Sequence, residues 1–363
     1  MELVLHIGIH KTGTTAIQNS LYGYDDGHAR YARLGPANHS IPLVTMFGRD
    51  PYKIGAYRRS GASTARIDRL KQTFFRRFER ELSHDREALI VSGEGIHSLS
   101  ASALTGLRDF AAPHAGGIRL IAYVREILPY CASALQERIK NGGPNHKPGV
   151  PDFQSRFQNV FDTFGQDAVA FSSFDDCLAR DGSVLPDFAD RAGLKRMPDE
   201  ARQGNERLSL DATRLVYVFN QSGTRSAGRV ELMFARQRMV DFLRRQFPQG
   251  KFVLPADIVW SHISAEQENQ IRWLETASGI SLLGAREAAP ASGQPRYDAY
   301  MRDVSDETRA RLLEGMDRHK IAHTGSGDVE SLLQTVFSHY LSGKLSYYAR
   351  RVIGGVRFRL GYR

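Results

Sequence analysis

Residues 3 to 18, Leu3-Val4-Leu5-His6-Ile7-Gly8-Ile9-His10-Lys11-Thr12-Gly13-Thr14-Thr15-Ala16-Ile17-Gln18, decide the fold. Leu3, Val4, Leu5, Ile7 and Ile9 form a nearly continuous apolar run, the pattern of a parallel strand covered on both faces, with His6 as its one polar interruption. Gly8 and Gly13 then allow a tight turn and a close approach of backbone to ligand, and Thr14 and Thr15 open a helix that continues through Leu21. A helix N-terminus presents unpaired N–H groups and the positive end of a dipole. The stretch therefore reads as a strand, a loop that can grip phosphate, and a helix.

Gly8 and Gly13 have the spacing of the two glycines in G-x-x-x-x-G-K-[ST], but the position after the second glycine is Thr14, and Lys11 stands two residues before Gly13. The plain alternative is a strand-to-helix turn with a solvated lysine. Lys11-Thr12-Gly13-Thr14-Thr15 resembles the 5′-phosphosulfate loop of sulfotransferases that use 3′-phosphoadenosine 5′-phosphosulfate (PAPS), in forms that act on carbohydrates and are found in bacteria. The resemblance implies that Lys11, Thr12, Gly13, Thr14 and Thr15 hold the phosphosulfate. It covers about the first 210 residues and rests on two motifs, this loop and the end of a later strand.

With 363 residues the chain can bury a large core. A formal charge of +9 favours anionic partners without choosing among nucleotides, acidic polysaccharides and nucleic acid. Cys131 and Cys177, placed in a helix and at the end of a strand, have no metal-ligand spacing, so neither a disulfide framework nor a metal site is expected. The first strand begins at once, leaving no room for a signal peptide, and no apolar run approaches the roughly 18 residues of a membrane span. The expected compartment is the cytoplasm.

Residues 23 to 62 show no sustained period and read as a long irregular loop, with His39 the best candidate in it for substrate contact. Helical spacing of Ile67, Leu70, Phe74, Phe78 and Leu82 predicts a helix with a basic outer face, either solvated or a platform for an acidic substrate. A second strand, Ala88 to Ser92, runs into Gly93-Glu94-Gly95. A carboxylate at the C-terminal end of a parallel strand sits where open α/β sheets place their chemistry, so Glu94 is the candidate general base. The resemblance agrees, since carbohydrate sulfotransferases carry a glutamate in this region and others a histidine; His97 is the alternative, and helix capping the plainer reading of Glu94.

Ile118 to Val124 reads as a third strand closed by Arg125, followed by a helix in which Ser133 comes two turns on. In the family resembled, an arginine and a serine so placed grip the 3′-phosphate of PAPS, and a guanidinium fork with a hydroxyl suits a phosphate monoester. Asn141 to Gly149 is a break that serves equally as lid or surface loop. Ala168 to Phe171 reads as a fourth strand, and Ser209 as the cap of a helix to Asn220. The segment Asn205-Glu-Arg207-Leu-Ser resembles an Asn-x-x-Leu-Ser stretch near the cofactor's phosphate in bacterial sulfotransferases, making Asn205 and Arg207 either phosphate contacts or part of a cap. The last third is helical by pattern, with Phe252 to Leu254 as a short edge strand. The tail from 344 carries Lys344, Arg350, Arg351, Arg357, Arg359 and Arg363 and no acid, which suits an anionic membrane face, a polyanion or mere solubility.

These observations predict a three-layer α/β fold, P-loop-like, with a central parallel sheet of four to five strands in residues 1–225 and a helical extension in 226–363. The function implied is transfer of a sulfuryl group from PAPS to a hydroxyl of a carbohydrate or glycoconjugate, with Lys11 stabilising the departing phosphate, without metal or nucleic acid. A kinase using ATP and magnesium is disfavoured because neither Ser92 nor Val124 supplies the metal-holding aspartate, although Glu94 could substitute. A non-catalytic module for nucleotides or polyanions is the remaining alternative.

Overall fold

Leu3, Val4 and Leu5 leave no polar face on their strand, so both sides must be covered, and β1 (Glu2–His6) takes the middle of the sheet. It pairs in parallel with β3 (Ala88–Ser92) on one side and β4 (Gly117–Val124) on the other. The short β2 (Ala29–Tyr31) adds to β3, and β5 (Val169–Ser173) to β4, giving a five-stranded all-parallel sheet in the order β2-β3-β1-β4-β5. The computed structural model describes residues 1–142, 147–199, 207–223, 230–284 and 297–342.

Alternation along the strands builds the layers. Val4, Ile90, Ile121 and Tyr123 point to one face, where α1 (Thr14–Leu21) packs through Ile17 and Leu21 beside two later helices described below. Leu3, Leu5, Leu89, Val91, Leu120 and Ala122 point to the other. That face is covered by α2 (Ser40–Phe47), α4 (Thr64–Leu82, after the short α3, Gly55–Ser60), α5 (Ala101–Ala111), α6 (Ile127–Lys140) and α7 (Phe153–Phe164). After β5, α8 (Phe174–Asp181) and α9 (Leu185–Arg191) return to the first face through Phe174, Cys177 and Phe188. The fold is thus α/β, with helices on both sides of a parallel sheet.

From α10 (Leu210–Gln221) onward the described chain is helical: Val230–Gln246, Ala256–Trp260, Ala265–Ser278, Tyr297–Arg302, Asp306–Arg318 and Val329–Ser342. Phe219, Phe242, Leu274, Leu312 and Phe337 join the same apolar cluster as Leu3 and Leu120, and the Ile127 amide donates to the Leu282 carbonyl at 2.9 Å. No helix among the described residues is long and apolar enough to cross a membrane.

The chain leaves β1 toward β3 and leaves β4 toward β5. Adjacent strand ends that send their chains apart leave a crevice beyond their carboxyl ends, the usual ligand position in an open α/β sheet. The loop after β1 and Arg125 after β4 both lie there.

Four expectations are corrected. Residues 23 to 62 are not an irregular loop: they hold β2, α2, α3 and a turn of 3-10 helix at Pro51–Lys53. Consequently Val169–Ser173 is the fifth strand, and Cys177 lies inside α8 rather than at a strand end. Phe252 to Leu254 pair with no strand among the described residues but run as irregular chain into Pro255. The tail from 344, with any membrane or polyanion contact assigned to it, lies outside the described residues, as does part of the break at 141–149.

Candidate active site

The strand-to-helix turn is built around two unusual backbone positions. Lys11 has φ +73° and Gly13 φ +77°, both in the left-handed region, which costs a side-chain-bearing residue about 1–2 kcal/mol. A Cβ on Gly13 would stand 2.8 Å from Val184 Cγ2 and 3.1 Å from the Phe174 ring, so only glycine fits beneath α8 and α9. Thr12 Oγ1 donates to the Ile9 carbonyl at 2.5 Å, and the Gly13 carbonyl accepts from the Ala16 and Ile17 amides. The backbone N–H groups of Lys11 to Thr15 have no acceptor among the described residues. Gly13, at the N-cap of α1, provides no side-chain cap, and the first turn has no acidic residue. Five amides without acceptors and an uncompensated dipole end at the start of α1 are the features with which a helix N-terminus holds an anion.

Arg125 joins this loop to the end of β4. Its Nη1 donates to the Lys11 carbonyl at 3.1 Å, its Nε reaches Asp175 Oδ1 at 3.3 Å, and its guanidinium lies 4.7 Å from the centre of the Phe174 ring. Asp175 also accepts from the Glu126 amide at 2.9 Å, which secures the start of α6. Burial lowers the Arg125 pKa from its ordinary value; Asp175 opposes that shift, and the nearby Arg207 guanidinium adds to it.

Arg125, Ser133, Arg207 and Lys251 line a cavity of about 210 Å³, with Leu128, Leu208, Phe252 and Leu254 among its apolar walls. Gln136 explains how Arg207 reaches it: its amide donates to the Leu208 carbonyl at 2.9 Å and accepts from the Leu208 amide at 3.1 Å, clamping the segment before α10 onto α6. Three cations and a hydroxyl, with no carboxylate in the described lining, suit a phosphate monoester, and the apolar walls suit a nucleoside.

The Lys11 ammonium rests 3.3 Å from Glu137 Oε2, one helical turn beyond Ser133, and Lys140 reaches the same oxygen at 3.1 Å. Burial pushes the Glu137 carboxyl up, but the two lysines outweigh it and hold it below the usual carboxylate range.

Across the loop, at the end of β3, Glu94 Oε2 stands 2.5 Å from His10 Nδ1. Gly93 and Gly95 anchor Glu94 from both sides: the Gly93 amide donates to the His6 carbonyl at 3.0 Å, and the Gly95 amide to Ser40 Oγ at 2.9 Å. His97 is 1 % exposed, and burial, with Arg156 and His10 nearby, pushes its pKa down to about 3. His39 is wholly buried and is no surface for a substrate: its Nδ1 accepts from the Ser92 amide at 3.1 Å and its ring stacks on Tyr31. His6 Nδ1 meets Ser92 Oγ at 2.8 Å, and Gln18 donates to the same hydroxyl at 3.1 Å. Together His6, Ser92, Gln18 and His39 form a neutral buried network beneath the loop.

The structure therefore brings Lys11, Thr12, Gly13, Thr14 and Thr15 together with Arg125, Ser133 and Arg207, places Glu94 at the neighbouring strand end, and buries His97 behind it. Asn205 lies outside the described residues. The reading of the sequence missed His10, Glu137, Asp175 and Lys251. Among the described residues no group of three or more His, Cys, Asp or Glu side chains is placed to hold a metal ion. Comparison with protein-family models, with curated proteins and with solved structures finds no match for this chain.

Proposed function

We propose that the protein transfers the sulfuryl group of PAPS to a hydroxyl of a carbohydrate or glycoconjugate. The observation that carries the reading is a pair of separate cationic sites joined by Arg125: the amide-lined loop with Lys11, and the Arg125–Ser133–Arg207 cavity. ATP carries its charge in one contiguous chain. PAPS carries it at two positions of the nucleoside, a 5′-phosphosulfate and a 3′-phosphate monoester, and two sites answer that distribution.

In this reading the N–H groups of Thr12 to Thr15 hold the 5′-phosphosulfate, and the Lys11 ammonium leaves Glu137 for the phosphate oxygen on which charge develops. Arg125, Ser133 and Arg207 hold the 3′-phosphate. The acceptor oxygen attacks sulfur in line, and adenosine 3′,5′-bisphosphate departs. Alignment and charge stabilisation are the protein's main contributions. Glu94, with His97 behind it, stands at the end of β3, where the acceptor's proton has to be taken.

The test is turnover of PAPS with a panel of oligosaccharides and glycolipids, read as release of adenosine 3′,5′-bisphosphate and mass gain on the acceptor. Sulfation by wild type, lost in a folded Lys11→Ala variant, is expected. No transfer from PAPS, together with magnesium-dependent phosphorylation of the same panel by ATP, would overturn the reading.

A further inference from the structure

We infer that His10 is the group that takes the acceptor's proton and that Glu94 is its positioning residue, an inference that rests on the sulfuryl-transfer reading above. An ionised carboxylate only accepts hydrogen bonds, so at the 2.5 Å contact the proton belongs to His10 Nδ1. In the neutral ring the lone pair is then on Nε2. A carboxylate that holds one ring nitrogen protonated while the other faces a hydroxyl is the arrangement by which an imidazole becomes an oriented base.

Exposure sorts the roles. The His10 side chain is 53 % exposed and Glu94 19 %, so the imidazole is the outer partner and the carboxylate the inner one. Glu94 is the better-anchored residue, held between Gly93, whose amide donates to the His6 carbonyl, and Gly95, whose amide donates to Ser40. Chain position adds a second argument, because His10 directly precedes Lys11 in the loop whose amides are without acceptors. A base there lies next to the group that stabilises the leaving phosphate. The His97 ring, 6.0 Å from that of His10 and held neutral by burial, supplies an uncharged wall, and Lys11 is turned to Glu137.

The step balances. His10 Nε2 takes the hydroxyl proton, the acceptor oxygen forms a bond to sulfur, and the bond between sulfur and the 5′-phosphate oxygen breaks, its electron pair leaving with adenosine 3′,5′-bisphosphate. The imidazolium so formed faces the Glu94 carboxylate and returns its proton to water.

Imidazole nitrogen shifts of 15N-histidine-labelled protein without ligand, followed from neutral into alkaline solution, test the pairing independently of any activity. Protonated Nδ1 and bare Nε2 are expected, with the two tautomers mixing in Glu94→Gln. Protonated Nε2 in wild type, or a tautomer ratio unmoved by Glu94→Gln, overturns the inference. Turnover tests the role: His10→Ala loses about 10²- to 10⁴-fold and regains activity with added imidazole, and Glu94→Asp retains more than Glu94→Gln. A His10→Ala variant with full turnover, or one that imidazole does not rescue, overturns it. Failure of wild type to bind adenosine 3′,5′-bisphosphate would instead overturn the reading on which it rests.

Discussion

Arg125, from the end of β4, donates to the backbone carbonyl of Lys11, 114 residues earlier, at 3.1 Å. The contact ties the two anion sites together, and the same guanidinium lines the cavity beside Ser133 and Arg207. Arg125→Ala should therefore weaken ligand binding and, with Asp175 Oδ1 and the Lys11 carbonyl losing their partner, cost about 1–3 kcal/mol of stability. Arg125→Lys keeps charge but loses the fork. Urea unfolding beside ligand titration checks this: a variant that loses affinity with an unchanged midpoint would show that the tie to Lys11 is unimportant to the fold.

Lys11 itself carries backbone strain at φ +73°. Lys11→Gly removes the strain and the half-exposed pair with Glu137, whose worth is about 0–1 kcal/mol, so stability should stay within about 1 kcal/mol of wild type while turnover collapses. Comparison with Lys11→Ala separates the side chain from the backbone, since alanine loses the ammonium and keeps the strain. Lower stability of the glycine variant than of the alanine one would contradict the strain argument.

At Gly13 a methyl group meets both a disfavoured backbone and a wall. Gly13→Ala should destabilise by about 2–4 kcal/mol, from left-handed strain and overpacking against Val184 and Phe174. The double variant with Val184→Ala makes room for the methyl but leaves the strain, so thermal unfolding should recover only part of the loss. Complete recovery would mean that sterics alone require the glycine.

Burial holds His6, His39 and His97 at about 3, below the ordinary 6.5, so each is neutral when folded and binds a proton on unfolding in mildly acidic solution. Their contribution to stability is full above about pH 6.5 and is lost as pH falls toward 3, by up to about 1.4 kcal/mol per pH unit for each histidine. Between pH 7 and pH 5 the urea midpoint should drop steeply, and less steeply in His97→Leu. A flat midpoint over that interval would mean that these imidazoles are charged in the folded protein.

How far the sequence disclosed all this depended on periodicity. β1, its loop and α1 were legible because an apolar run ends in glycines and helical threonines, and Gly93 marked the end of β3 in the same way. β2 was hidden because it is three residues long and contains Arg30, buried in a pair with Glu81 at 2.8 Å. α2 was hidden because Pro42 stands in its first turn and its N-cap residue, His39, provides no side-chain cap. In the site, the loop and the cations after β4 could be read locally. The partnership of His10 with Glu94 spans 84 positions, and Lys251 reaches the cavity from the helical extension, so neither leaves a spacing to find. Phe252 to Leu254 look like a strand because a cavity wall and a buried strand both ask for apolar residues.

The most direct test of the central claim is calorimetric binding of adenosine 3′,5′-bisphosphate, ADP, and ATP with magnesium to wild type and to Arg207→Ala, whose exposed side chain contributes little to the core. The account predicts that the bisphosphate binds more tightly than either other nucleotide and that Arg207→Ala loses most of that preference. Equal or tighter binding of ATP, dependent on magnesium and indifferent to Arg207, would contradict it.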